Sequence, residues 1–124
     1  MKNYLYVFLG GGIGAGVRYW LGGVIPKYLG SNFPYGIFLI NIIGCFFIGL
    51  LMAAFEERFA ITPSLRIFLT IGILGGFTTF SSFSYEAISL LRDAEILRAT
   101  VYVGGSVVLG LIGAYAGSVV GKLL

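Results

Sequence analysis

Residues 28–55 read YLGSNFPYGIFLINIIGCFFIGLLMAAF, a run without a single Asp, Glu, Lys or Arg. A helix that crosses the hydrocarbon core of a bilayer needs about 20 mostly apolar residues. The stretch from Pro34 to Phe55 meets that need, with Asn41 as its only amide side chain. Residues 3–17, 67–85 and 99–121 are also free of charge. The pattern predicts four spans, near 3–25, 34–55, 65–91 and 97–121, the first tolerating Arg18 and the third running past Glu86. The connections are short. Prolines 26 and 34 bracket the first, stopping one helix and opening the next. Glu56-Glu57-Arg58 ends the second span, and Thr62-Pro63 reads as an N-cap followed by a first-turn proline. Arg92-Asp93-Ala94-Glu95 forms the last connection, with Asp93 as its cap. The fold class is therefore an all-α integral membrane protein, a single four-helix transmembrane domain over residues 1–124.

Composition agrees. Apolar residues make up 58% of the 124, and 20 more are glycine, against roughly 45–50% for both together in soluble domains. Only 10% are charged, too few to cover a soluble surface. The net charge of +3 comes from scattered single Lys and Arg residues, so no nucleic-acid-binding patch exists. With no His and one Cys, disulfide frameworks, zinc sites and His-based catalysis are excluded, and no nucleophile–base pair suggests an enzyme. Lys2 before an apolar run resembles a signal peptide. However, more membrane-type sequence follows it rather than a cleavage site and a soluble domain, so the run reads as the first span.

Lys and Arg in the loops normally set orientation. One side would hold Lys2, Arg58, Arg66 and Lys122; the other would hold Lys27, Arg92 and Arg98, with Arg18 if it snorkels. The sides balance. Either a small protein is poorly marked, or it inserts both ways and copies pair antiparallel. Four short helices enclose little space, which favours oligomers.

The glycines of the first span formally fit a dinucleotide fingerprint at Gly10-x-Gly12-x-x-Ala15, but no acidic residue follows at 30–36 and no strand–helix alternation appears. Gly10-x-x-x-Gly14, Gly12-x-x-x-Gly16 and Gly113, Gly117 and Gly121 instead suit close helix packing in lipid. Residues 72–86, GILGGFTTFSSFSYE, are different. Gly75-Gly76 weakens a helix, and five hydroxyls among 78–84 compete for its backbone bonds. The helix is predicted to break near Gly75–Thr79, at mid-membrane. Non-helical backbone survives at that depth only when buried in protein or lining a wet cavity, and half-helix ends there suit ions. A kinked but continuous helix is the alternative. Phe77, Phe80 and Phe83 interleave with the hydroxyls at a spacing of three. Aromatic edges are electropositive, so edges beside hydroxyl donors suit a dehydrated anion. Asn41 is either part of that surface or a helix–helix hydrogen bond. Tyr102 and Ser106, four apart, share a face of the fourth span. Cys45 reads as inert packing.

The run at 11–19 (Gly-Gly-x-Gly-Ala-x-x-Arg-Tyr), Asn41-x-x-Gly44, and Gly75 through Ser84 together resemble the Fluc-type (CrcB-like) fluoride ion channels over the whole chain. That resemblance implies an antiparallel, dual-topology homodimer with two fluoride pathways, in a prokaryotic-type plasma (inner) membrane. It implies that Phe80 and Phe83 turn ring edges to the ion and that the Asn41 amide donates to it. Gly75 and Thr78 match positions whose backbone carbonyls, doubled across the two-fold axis, hold a structural sodium ion. Tyr102 and Ser106 match two members of a polar track. Its third member is usually a hydroxyl residue, but here it is Gly110, leaving water or Ser81, Ser82 or Ser84 to serve there. Glu86 matches a common carboxylate of unsettled role. Fluoride would pass from the Asn41 amide to hydroxyls of Thr79, Ser82 or Ser84, Tyr102 and Ser106, passively, exporting fluoride that entered as the neutral acid. Arg18 either orients a pore vestibule or anchors its helix at the interface. The rivals are a small four-helix proton-coupled multidrug exporter, which needs a first-span carboxylate that is missing here, and a non-transporting membrane assembly subunit.

Overall fold

The computed structural model describes all 124 residues, and every regular element is helical. Helix α1 spans Lys2–Leu29 and α2 spans Tyr35–Glu57. A composite third rod follows: α3 (Pro63–Ile67), a π-helical segment (Phe68–Leu74), α4 (Gly75–Phe77) and, after an interruption, α5 (Phe80–Arg92). Helix α6 spans Ile96–Leu123. Thr62 caps α3 as its sequence predicts: the Leu65 N–H donates to its Oγ1 (3.2 Å), with Pro63 in the first turn.

Three rods, Tyr35–Glu57, Pro63–Arg92 and Ile96–Leu123, are long and apolar enough to cross a membrane. Helix α1 matches α6 in length at 28 residues, about 42 Å at 1.5 Å per residue. It falls short in apolarity because seven glycines, Arg18 and Lys27 dilute it.

Only 16 residues are buried, and eight of those are glycines, so the helices meet backbone to backbone. Helix α1 lies along the amino half of the third rod. Gly10 faces the Phe68 carbonyl and Gly72 Cα, Gly14 faces Ile73 and Phe77, and Gly76 faces the Gly11 carbonyl. Helix α2 pairs with α6 in the same way, through Gly49 on Ala114, Gly117 on Phe46 and Gly121 on Leu50. The contacts advance together along each pair, so both pairs run parallel and the chain runs up-down-up-down. No polar or charged residue is fully buried, while Phe8, Trp20, Phe80, Leu97, Leu111 and Tyr115 stand exposed. An apolar exterior around a thin core is the arrangement expected in lipid.

Three local expectations shift. Pro26 does not stop α1, because it forfeits a single helical bond and the helix continues to Leu29. Termination comes from Gly30, at a φ of 86° that suits glycine, whose N–H donates to the Pro26 carbonyl (2.8 Å). Asp93 closes α5 rather than capping α6, and Ala94 takes the left-handed turn between them. Gly75 and Gly76 stay helical, and the chain leaves helical geometry at Thr78 (ψ 159°) and Thr79 (φ −153°, ψ 119°). Gly76 is used for contact, since a Cβ there would collide with the Gly11 carbonyl, whereas Gly75 stands exposed.

Candidate functional site

The interruption at Thr78–Thr79 is held by side chains that take the place of helical hydrogen bonds. In an unbroken helix the Thr79 N–H would donate to the Gly75 carbonyl. Here it donates to Asn41 Oδ1 (2.9 Å), and Asn41 Nδ2 donates back to the Thr79 carbonyl (3.1 Å). The amide of α2 thus pairs with both main-chain groups of one residue, as a neighbouring strand would. The Ser82 N–H, which would otherwise seek the Thr78 carbonyl, donates to Thr79 Oγ1 (3.1 Å) and makes Thr79 the N-cap of α5. The Thr79 hydroxyl donates to Ser82 Oγ (3.2 Å) and lies 3.2 Å from Ser81 Oγ. On the amino side, the Thr78 hydroxyl and N–H both donate to the Leu74 carbonyl, each at 3.0 Å. Arg18 Nε donates to the Gly76 carbonyl (3.0 Å), which in a continuous helix would have received the Phe80 N–H.

Phe77 apart, the carbonyls left without a donor in this way are those of Gly75 and Thr78. Both residues line an open cleft of about 380 Å³, together with Asn41, Thr79, Phe80, Phe83 and Ser106. Ser106 Oγ is buried and has no hydrogen-bond partner. The Phe80 and Phe83 rings lie 5.6 Å apart, and Phe80 is 79% exposed. Cys45 lies one turn beyond Asn41 on the same wall, opposite buried Gly110, where an added Cβ would stand 3.3 Å from its Sγ. The thiol occupies the notch that a side chain at 110 would need.

Other predicted residues sit outside the cleft. Tyr102 is fully buried and packs on Phe83 (5.2 Å between centroids) and Phe33 (5.6 Å). Its hydroxyl donates to Glu86 Oε2 (3.0 Å), so its proton is directed away from Ser106. Glu86 itself borders a separate opening of about 590 Å³ at the end of the bundle, beside Asp93 and Arg98. Ser82 reaches the cleft only through Thr79, and Ser84 is half-buried on α5 without lining the cleft. No cluster of His, Cys, Asp or Glu could hold a metal ion. Sequence reasoning missed the target of Arg18 and the pairing of Glu86 with Tyr102. The first leaves a trace, because Arg18 continues the four-residue spacing of Gly10 and Gly14; the second joins residues 16 apart on two helices and leaves none.

A family model described as "CrcB-like protein, Camphor Resistance (CrcB)" matches residues 5–118. A "Fluoride-specific ion channel FluC" of Flavobacterium psychrophilum is 45% identical over 124 residues, covering all of both chains. Proteins of the same name from Thermus thermophilus (44% over 124 residues, all of this chain and 98% of the relative) and Aquifex aeolicus (42% over 118 residues, 95% of each) are similar. The apolar helices and these bacterial relatives identify an integral protein of the plasma membrane.

Proposed function

Because the chain belongs to the CrcB-like family, we propose that it is a passive, fluoride-selective channel that exports fluoride as an antiparallel, dual-topology homodimer of four-span subunits. The observation that carries this reading is the cleft at the helix break. It sets a buried, unpartnered Ser106 hydroxyl and the Asn41 amide beside Phe80 and Phe83. Asn41 Nδ2 uses one of its two hydrogens on Thr79 and retains the other for an anion. Fluoride holds its water tightly, so each step needs a donor in place of a water, and none may bind so well that the ion stays. Asn41, Ser106 and the ring edges of Phe80 and Phe83 meet that requirement without a fixed positive side chain in the cleft. The Ser82 hydroxyl receives the Thr79 proton, which leaves its own proton to donate onward. Tyr102 contributes its ring as a wall behind Phe83, with its proton committed to Glu86.

The donor set also fits a structural sodium ion. The Gly75 and Thr78 carbonyls have lost their helical partners, and both border the cleft. They stand at the carbonyl end of a half-helix, where the dipole favours a cation. Two carbonyls are too few for one ion, and a second antiparallel subunit would double them. When bound, such an ion supplies positive charge that lowers the cost of an anion at low dielectric. The dimer is supported by the balanced Lys and Arg of the two loop sets and by the exposure of Phe80 and Gly75. A break at mid-membrane follows if Pro63–Arg92 spans the bilayer, since Thr78 and Thr79 fall near its centre. Residues 1–55 hold no carboxylate, so a proton-coupled exporter has no support.

The test is fluoride efflux from liposomes carrying the purified protein, with chloride as control. Efflux of fluoride and not chloride is expected, and Phe80→Ile should abolish it while the dimer persists. Normal flux through that variant would refute the pathway.

A further inference from the structure

We infer that Arg18 is a positioning residue that ends the amino half of the broken helix, acting through the hydrogen bond from its Nε to the Gly76 carbonyl and not through its charge. The bond spans 3.0 Å and joins residues 58 apart in sequence. Its placement follows from the glycines before it. Gly10 and Gly14, both buried, bring α1 against the Phe68–Phe77 stretch so closely that no side chain fits between. Arg18 is the next residue on that face, one turn further, and there its side chain bends over the end of the rod.

The geometry accounts for why the break lies where it does. A helix end leaves four carbonyls without partners. At this end they are those of Gly75, Gly76, Phe77 and Thr78, since Leu74 still receives the Thr78 N–H, and of the four Gly76 receives Arg18. Asn41 of α2 holds the other side of the break by engaging both main-chain groups of Thr79. Arg18 and Asn41 thus clamp the interruption from two different helices. The clamp leaves the carbonyls of Gly75 and Thr78, two residues that line the cleft, without a side-chain donor. With Gly76 unclaimed, the Phe80 N–H could return to it and close the helix across the gap. No carboxylate pairs with Arg18, since the one salt bridge of the protein joins Arg98 to Glu95.

The consequence for flux rests on the channel reading above; the consequence for folding does not. Glutamine separates bond from charge, because its amide nitrogen stands the same number of bonds from Cα as Arg Nε. In full-length protein in liposomes, with flux normalised to correctly assembled protein, Arg18→Met should lower maximal fluoride efflux about 10- to 100-fold, the scale of one orphaned buried carbonyl. Arg18→Gln should stay within about threefold of the unmodified protein, because the bond is restored without the charge. Resistance to thermal unfolding in detergent should fall in the same order, with Gln close to Arg and Met well below. Equal loss in Gln and Met with a normal Arg18→Lys would show that charge is what matters and overturn the inference. So would an unimpaired Met variant. If Met fails to assemble, Gln against Lys still decides. If the unmodified protein passes no fluoride, the channel reading fails, and the unfolding order alone then tests the clamp.

Discussion

Replacing Asn41 by Ala probes the whole construction of the break. The side chain makes two hydrogen bonds to one residue, at 2.9 and 3.1 Å, both partly shielded from solvent. Each main-chain group left unpaired away from water costs about 1–3 kcal/mol. If both Thr79 groups are orphaned, the loss is about 2–6 kcal/mol. If the Thr79 N–H swings back to the Gly75 carbonyl, one orphan remains and the loss is about 1–3 kcal/mol. We therefore expect about 2–4 kcal/mol, a large share of the roughly 5–15 kcal/mol that holds a typical domain together. Equilibrium unfolding in mixed micelles measures the stability change, and amide hydrogen exchange at Thr79 locates it. Exchange at that amide should accelerate, while amides within α6, to which Asn41 makes no hydrogen bond, keep their protection. Fluoride efflux should fall as well, since the spare amide hydrogen disappears. A stability change under about 0.5 kcal/mol with unchanged exchange at Thr79 would refute the bridging role.

Two further outcomes follow from the glycine contacts. Gly14→Ala places a Cβ against the Ile73 carbonyl and 2.7 Å from the Phe77 nitrogen, neither of which can yield, so thermal unfolding should show a loss of about 1–3 kcal/mol, while Gly12→Ala, facing open space, should be neutral or slightly stabilising. Gly110→Ser should cost about 1 kcal/mol because its Cβ meets Cys45 Sγ at 3.3 Å, and Cys45→Ala should recover most of it; additive losses in the double variant would show that the two residues do not share one notch.

The helices themselves were legible because membrane spans depend on local composition. A run such as 28–55 has few options once it is free of charge. The Thr62-Pro63 cap was legible for the same reason, since its bond closes within three residues. The site was partly legible. The density of hydroxyls and phenylalanines between Thr78 and Ser84 marked the segment, and the cleft does bring Asn41, Thr79, Phe80, Phe83 and Ser106 together. The interruption falls at Thr78–Thr79, the carboxyl end of the Gly75–Thr79 stretch expected to hold it. Propensity alone would open the helix at Gly75-Gly76, yet both stay helical, with Gly76 packed on the Gly11 backbone. The interruption moves to where side chains from other helices offer the backbone better partners.

Sequence alone determined that this chain is helical, lives in a membrane, and concentrates its polar chemistry in the third rod, because each of those properties is set by residues near one another along the chain. Tertiary structure decided what each polar group faces. Asn41 meets Thr79 across 38 residues, Arg18 meets Gly76 across 58, and Tyr102 turns its proton to Glu86 rather than to the cleft. It also divided the glycines, giving Gly10, Gly14 and Gly76 backbone neighbours while leaving Gly12, Gly16 and Gly104 in open space. Hydrogen bonds and close backbone contacts are short-ranged and directional, so they depend on how the rods are rotated and shifted against one another. Apart from the spacing that puts Arg18 on the face of Gly10 and Gly14, the local sequence does not carry that information.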